Sequence, residues 1–141
     1  MDMETPPPGS RIIRPPRAIS RKIAEPILWL ADRMASADQE AVPRELRMVD
    51  ALADAMGMAT FRHQPWYRNM TEAGALRSLN SDLAKRAALV VLSLVLKADM
   101  KRRPQEQAYF SYLRQELGAE PITVPVDLEQ HKKLALEYFR K

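Results

Sequence analysis

Apolar residues recur along this chain at the three- and four-residue spacing of amphipathic α-helices, and no segment alternates long enough to predict a β-sheet. The first predicted helix begins near Ser20 or at Pro26 and ends at Ser36. Further helices are predicted over residues 43–56, 71–79, 82–97, 104–117 and 127–139. The helix over 82–97 is apolar on several faces, so we expect it to lie centrally and to be covered on most sides.

The chain also contains an internal repeat, which constrains the architecture more than any single helix does. Residues 28–58 and 89–119 align without a gap at a constant offset of 61 positions. The aligned identities include Ala37 with Ala98, Asp38 with Asp99, Pro43 with Pro104, Glu45 with Glu106, Leu52 with Leu113 and Gly57 with Gly118. Each copy predicts a helix, a short acidic loop and a second helix that ends at a glycine, because glycine enters the left-handed conformation at little cost.

Length and composition favour one helical domain preceded by an arm. The 141 residues support a single domain, predicted over 18–141. Residues 1–17 contain five prolines, which favour an extended conformation, so they predict a flexible N-terminal arm. The absence of cysteine excludes disulfides and thiolate chemistry and favours a reducing, cytoplasmic compartment. We expect neither a secretory signal nor a transmembrane segment, because the most apolar stretch, 87–96, has ten residues and a bilayer span needs about 20.

The net charge of +4 is concentrated in the arm, since residues 1–22 carry +3 and the remaining residues carry +1. A nearly neutral body argues against a nucleic-acid-binding domain. Arg11, Arg14 and Arg17 would lie on one edge of an extended arm. Together with Arg21, they are predicted to contact an acidic protein partner, a membrane surface or nucleic acid. The alternative is a solubilising terminus with no partner.

The repeated motif resembles the TerB-like (tellurite-resistance B) family of helical domains. Each copy has an apolar helix, Ala-Asp, a Glu seven positions after the Asp, and a second helix ending in Leu-x-x-x-[Met/Leu]-Gly. The resemblance covers about residues 20–140 and implies an all-α fold, a helical bundle of two pseudo-symmetric helix pairs, here followed by a C-terminal helix. It also implies an association with stress and metal resistance.

The resemblance further implies divalent-cation binding by the loop carboxylates, which are Asp38, Glu45, Asp99 and Glu106 in this chain. Gln39 and Met100 stand where the family usually has glycine, which predicts a differently shaped loop. The alternative is that the aspartates bond loop backbone groups while the glutamates cap helix N-termini. No other cofactor is expected.

Two histidines and two aromatic residues form the remaining candidate sites. His63, Trp66 and Tyr67 lie in the connector between the two copies, where they predict a ligand pocket, a partner groove, or a connector held to the core by its large rings. His131 lies among Gln130, Lys132 and Lys133 and is predicted to be solvent-exposed. Ser93, inside the most apolar helix, is expected to bond a backbone carbonyl of that helix.

The sequence contains no nucleophile elbow, no glycine-rich phosphate loop and no His-Glu-x-x-His, so we expect a non-enzymatic protein. The leading hypothesis is a TerB-like protein-interaction module in a stress or membrane-associated complex, cytoplasmic or peripheral to the membrane. Its partner would contact the arm arginines, Trp66 and Tyr67. The alternatives are a divalent-cation sensor, a nucleic-acid-binding protein using the arm with Lys101, Arg102 and Arg103, and, last, an unrecognised hydrolase.

Overall fold

The computed structural model describes residues 19–36, 43–98, 104–120 and 122–139. These residues form seven α-helices and no strand, which confirms the predicted all-α helical bundle. The helices are α1 (Arg21–Ala35), α2 (Pro43–Ala55), α3 (Pro65–Asn69), α4 (Glu72–Ser78), α5 (Asp82–Ala98), α6 (Pro104–Leu117) and α7 (Leu128–Glu137), with a 3₁₀ turn over Phe61–His63 before α3.

The core is built around α1 and α5, which pack against each other. Helices α2 and α4 cover α1, while α2, α6 and α7 cover α5. Ten residues of α5 are buried, as its apolar faces predict: Ala84, Ala87, Ala88, Leu89, Val90, Val91, Leu92, Leu94, Val95 and Ala98. Within the described ranges, no helix combines the length and the apolar character needed to cross a bilayer.

The two copies of the repeat form the same helices in the same register. Helices α1 and α5 begin 61 positions apart, and so do α2 and α6. Gly57 and Gly118 follow the second helix of each copy with φ angles of 75° and 66°. The amide of the residue after each glycine donates to a carbonyl five positions back, from Met58 to Ala53 at 2.7 Å and from Ala119 to Arg114 at 3.3 Å. Both hairpins therefore end in the same glycine cap.

Helix α1 begins at Arg21, so of the two predicted starts the one near Ser20 is confirmed and the one at Pro26 was wrong. Pro26 lies inside the helix and is buried. A proline at this position removes only the bond to the carbonyl of Lys22, which belongs to the exposed first turn, where water can replace the lost donor. The arm over residues 1–17, with Arg11, Arg14 and Arg17, lies outside the described residues.

Side-chain caps begin helices α4, α5 and α7. The amide of Gly74 donates to Thr71 Oγ1 at 3.0 Å at the start of α4. The amide of Ala84 donates to Ser81 Oγ at 3.1 Å at the start of α5. The last predicted helix, over 127–139, is α7 with Asp127 as its N-cap, where Asp127 Oδ2 accepts from the amide of Gln130 at 3.0 Å.

Candidate functional site

A cleft of about 650 Å³ lies where α1, the 3₁₀ turn, α3 and α6 meet. Its walls carry three arginines, three aromatic rings and one carboxylate: Arg33, Arg62, Arg68, Trp29, Tyr67, Tyr109 and Asp32. Helix α1 contributes one wall, the connector after α2 contributes the second, and Tyr109 of α6 contributes the third. The cleft therefore joins residues from both copies of the repeat and from the connector between them.

Asp32 fixes the connector to α1. The carboxylate is 7% exposed. Its Oδ1 accepts from Arg62 Nε at 3.0 Å and from Arg62 Nη2 at 2.6 Å, and its Oδ2 accepts from the hydroxyl of Tyr67 at 2.5 Å. Arg62 Nη1 also donates to Asp50 Oδ1 at 2.6 Å. Asp32 and Arg62 thus hold three separate elements together, because the guanidinium donates in two directions.

The connector reaches this position because its aromatic residues anchor it. Phe61 is 1% exposed and meets Tyr67 edge to face, with ring centroids 5.6 Å apart. Trp66 is half-buried and meets Tyr67 at 6.1 Å. Arg62 lies 4.6 Å over the ring of Phe61. Of the predicted partner-binding residues in the connector, Tyr67 lines the cleft and Trp66 supports its ring.

The electrostatics of the cleft keep its two phenol groups neutral and Arg62 charged. The hydrogen bond to Asp32 raises the pKa of Arg62 above its usual value. Burial raises the pKa of Tyr67 to about 12, with the hydrogen bond to Asp32 as the second cause. Burial also raises the pKa of Tyr109, with its hydrogen bond to Glu72 second. Neither phenol therefore adds a negative charge near neutral pH.

Two of the three arginines are exposed and have no carboxylate partner among the described residues: Arg33 and Arg68. The guanidinium of Arg33 lies 5.1 Å from the ring centroid of Trp29, which is itself 8% exposed. Stacking on an indole covers one face of a guanidinium and leaves its in-plane N–H donors available. Arg33 therefore presents donors to the cleft.

The α6 wall is tied to α4 by a shared carboxylate. Glu72 Oε1 accepts from the hydroxyl of Tyr109 at 2.6 Å, and Glu72 Oε2 accepts from that of Tyr112 at 2.9 Å. The two tyrosine rings are stacked with centroids 6.1 Å apart. This arrangement holds the ring of Tyr109 at the edge of the cleft.

The predicted metal-binding residues are described only in part. Glu45 and Glu106 are 0% and 1% exposed and lie in the first turns of α2 and α6, at equivalent positions of the two copies. Asp38 and Asp99 lie outside the described residues. Within the described ranges, no group of three or more histidine, aspartate or glutamate side chains is arranged to hold a metal ion. The divalent-cation site stays a prediction.

Arg21 belongs to α1 and does not line the cleft. Its Nη2 donates to the carbonyl of Gly57 at 3.3 Å, so it reinforces the C-terminal end of α2. The arm arginines at 11, 14 and 17 lie outside the described ranges, and their partner-binding role stays a prediction.

His131 is buried, so the expectation that it is solvent-exposed was wrong. Its Nε2 lies 2.9 Å from the carbonyl oxygen of Val90 and 3.2 Å from Ser93 Oγ. Burial lowers the pKa of His131 to about 4. Ser93 Oγ also donates to the carbonyl of Val90 at 3.1 Å, which confirms its predicted backbone bond. Helical spacing from Ala135 and Tyr138, both buried, was the signal that places His131 inward.

Comparison of the chain with protein-family models, with curated proteins and with solved structures gives no significant match. The TerB-like resemblance therefore rests on the repeated sequence motif.

Proposed function

We propose that this protein is a non-enzymatic helical interaction module whose cleft binds a negatively charged segment of a partner protein. The observation that carries the proposal is the composition of the cleft, in which three arginines and three aromatic rings face a single carboxylate. Arginine, tyrosine and tryptophan are the residues that most often dominate the binding energy of protein interfaces.

The charge balance of the cleft favours an anionic partner. The carboxylate of Asp32 already accepts hydrogen bonds from Arg62 and Tyr67, and Arg62 also donates to Asp50. Arg33 and Arg68 remain exposed, without a carboxylate partner in the described part of the chain. A planar guanidinium binds carboxylates and phosphates through two parallel hydrogen bonds. An acidic side chain would therefore be held by either arginine.

The walls of the cleft support a protein segment as the occupant. Tyr67 and Tyr109 offer apolar ring surface beside the two arginines. Burial of aromatic surface supplies the larger part of binding energy at such sites, and the charged pair supplies orientation. A partner segment with an acidic residue next to an apolar one would use both.

Hydrogen bonds within the protein fix the walls of the cleft, which lowers the cost of binding. Asp32 holds Tyr67 and Arg62, while Glu72 holds Tyr109. A wall fixed in this way loses little side-chain freedom when a partner arrives. The TerB-like resemblance adds a setting to the proposal, a stress or metal-resistance complex that is cytoplasmic or peripheral to the membrane. In that setting the N-terminal arm would contact the same partner.

Peptide display tests the proposal. A library with equal numbers of acidic and neutral sequences would be panned on the protein and on an Arg33→Gln/Arg68→Gln variant. We expect acidic sequences to be enriched on the protein and lost on the variant. Arg44→Gln/Arg47→Gln is the matched control, because both arginines are exposed on α2 and neither lines the cleft. Equal enrichment on the protein and the cleft variant would exclude the cleft as the binding site.

Divalent-cation sensing is a second candidate function, favoured by the burial of Glu45 and Glu106 at equivalent positions of the two copies. Carboxylates are preferred ligands of Ca²⁺ and Mg²⁺. A cation that binds the native state must raise the unfolding temperature. The test is thermal unfolding with Ca²⁺, Mg²⁺, Mn²⁺ or Zn²⁺, in the protein and in Asp38→Asn. A rise that the substitution removes supports the sensor, and no rise for any cation excludes it.

A further inference from the structure

We infer that the anion bound in the cleft is a phosphorylated side chain of the partner protein. The inference rests on the proposed function and narrows its ligand from any acidic segment to a phosphopeptide. The observation that carries it is that three arginines from different elements line the cleft with a single carboxylate.

The two available arginines match a doubly charged group. Asp32 balances the charge of Arg62, and the other carboxylate on that guanidinium, Asp50, is 54% exposed and does not line the cleft. The residues that line the cleft therefore keep the positive charges of Arg33 and Arg68. An aspartate or glutamate of a partner carries one negative charge and would neutralise one of them. A phosphate ester carries about −1.5 to −2 near neutral pH and has three acceptor oxygens, so it would engage both.

The stacking of Arg33 on Trp29 suits phosphate recognition. With one face of the guanidinium against the indole, its N–H donors lie in a defined plane at the edge of the cleft. A tetrahedral phosphate accepts from such an edge while its remaining oxygens stay available to a second arginine. Arg68 comes from α3, so the two donors approach the cleft from different elements.

The aromatic walls and the charge of the body favour a peptide over a membrane or a nucleic acid. Tyr67 and Tyr109 enclose the cleft beside the arginines, at a scale suited to one or two side chains. Membranes and nucleic acids are bound by extended cationic surfaces. The residues after position 22 carry a net charge of only +1, a balance that does not favour an extended cationic surface on the body.

The test compares matched peptide libraries for binding to the full chain. Libraries with a fixed central phosphoserine, phosphothreonine or phosphotyrosine would be titrated beside the same libraries with Ser, Thr, Tyr or Glu at that position. Trp29 reports binding in a Trp66→Phe background, because the chain has only two tryptophans. We expect the phosphorylated libraries to bind at least about tenfold more tightly than the Glu libraries.

Variants assign the effect to the arginines. Arg33→Gln/Arg68→Gln should abolish the preference for phosphate, whereas Arg33→Lys/Arg68→Lys should keep part of it, because lysine retains the charge but not the paired donors. Arg44→Gln/Arg47→Gln should bind as the unsubstituted chain does. Circular dichroism of each variant confirms that it is folded. A preference for phosphate that survives the cleft substitutions would overturn the inference.

Each remaining outcome bears on a different claim. Equal binding of phosphorylated and Glu libraries would overturn the phosphate inference and leave the proposed function standing. No binding of any acidic library would overturn both. Inorganic phosphate, or phosphatidylcholine vesicles carrying phosphatidylinositol phosphate, would serve as competitors. If either competitor bound as tightly as the best phosphopeptide, the inference that the bound phosphate belongs to a peptide would be wrong.

Discussion

Asp32 and Ser93 occupy equivalent positions of the two repeats, and through each of them a central helix contacts the segment that follows its own hairpin. Asp32 accepts from Arg62 and Tyr67 of the connector after α2. Ser93 Oγ lies 3.2 Å from Nε2 of His131, on the helix after α6. The duplicated framework therefore keeps a polar contact at one position, with a charged residue in the first copy and a neutral one in the second.

Asp32→Asn should lower the free energy of unfolding by about 2 kcal/mol, because the bonds from Arg62 to a nearly buried carboxylate lose their charge. Asp50→Asn is the matched control. This substitution changes a carboxylate bonded to the same guanidinium, but the Asp50 side chain is 54% exposed. The free energy of unfolding should therefore fall by less than about 1 kcal/mol. Urea denaturation of the three proteins measures both values. Equal losses for Asp32 and Asp50 would contradict the role assigned to Asp32.

Much of the fold follows from the sequence because its determinants are local. Each helix boundary depends on residues within one turn, as at the glycines 57 and 118 and at the caps Thr71 and Ser81. The offset of 61 positions is likewise visible from the repeat alone. Such signals are present in a short window of sequence. Because the sequence repeats, α1 and α5 begin at equivalent positions of the two copies, and so do α2 and α6.

The cleft could not be predicted in this way, since its parts meet only through tertiary packing. Asp32 and Tyr67 are 35 positions apart, and Tyr109 comes from the other repeat. Asp32 lies on a helix whose other buried residues are apolar, apart from Pro26, so a hydrophobic pattern gives no reason to expect a carboxylate there. His131 was misjudged for a related reason, because its polar neighbours at 130, 132 and 133 outweighed its helical spacing from Ala135.

The burial of His131 predicts that the protein loses stability in acid. The folded-state pKa is about 4, below the ordinary 6.5, so the unfolded chain takes up the proton first as the pH falls. The stability that the neutral, buried His131 contributes is fully present above pH 6.5 and is lost as the pH falls towards 4. We expect the titration of His131 to lower the free energy of unfolding by about 2 kcal/mol between pH 7 and pH 4.5.

Substitution separates this effect from the protonation of carboxylates. His131→Gln should be less stable than the unsubstituted protein at neutral pH but should lose less stability on acidification. His63→Gln, at the other histidine of the chain, is the control, because it makes the same substitution at an exposed position. Urea midpoints across the pH range measure the difference. Parallel curves for His131→Gln and the unsubstituted protein would show that His131 is not the group responsible.

The two glycine caps should respond alike to substitution. Gly57 and Gly118 have positive φ angles of 75° and 66°, and a Cβ atom at either position would meet nothing within 4 Å. The cost of alanine is therefore conformational only, and we expect about 1 kcal/mol at each site. Asparagine tolerates the left-handed region better, so Gly57→Asn and Gly118→Asn should recover part of the loss. Thermal denaturation measures the loss of stability in each variant. A large difference between the two sites would show that the caps are not equivalent.

The bond from Tyr109 to Glu72 should stabilise the fold without being needed for ligand binding. Tyr109→Phe removes a hydroxyl that donates at 2.6 Å in a partly buried wall, and we expect a loss of about 1 kcal/mol. Tyr112→Phe removes a donor to the same carboxylate, but Tyr112 is 42% exposed, so its loss should be within about 0.5 kcal/mol.

Peptide binding by Tyr109→Phe and Tyr109→Ala separates the hydroxyl of Tyr109 from its ring. Because the ring still lines the cleft in Tyr109→Phe, peptide affinity should stay within about threefold of the unsubstituted protein, whereas Tyr109→Ala should weaken it by about tenfold or more. Urea denaturation and peptide titration on the same samples give both quantities. If phenylalanine weakened binding as much as alanine does, the hydroxyl rather than the ring would be the contact that the partner uses.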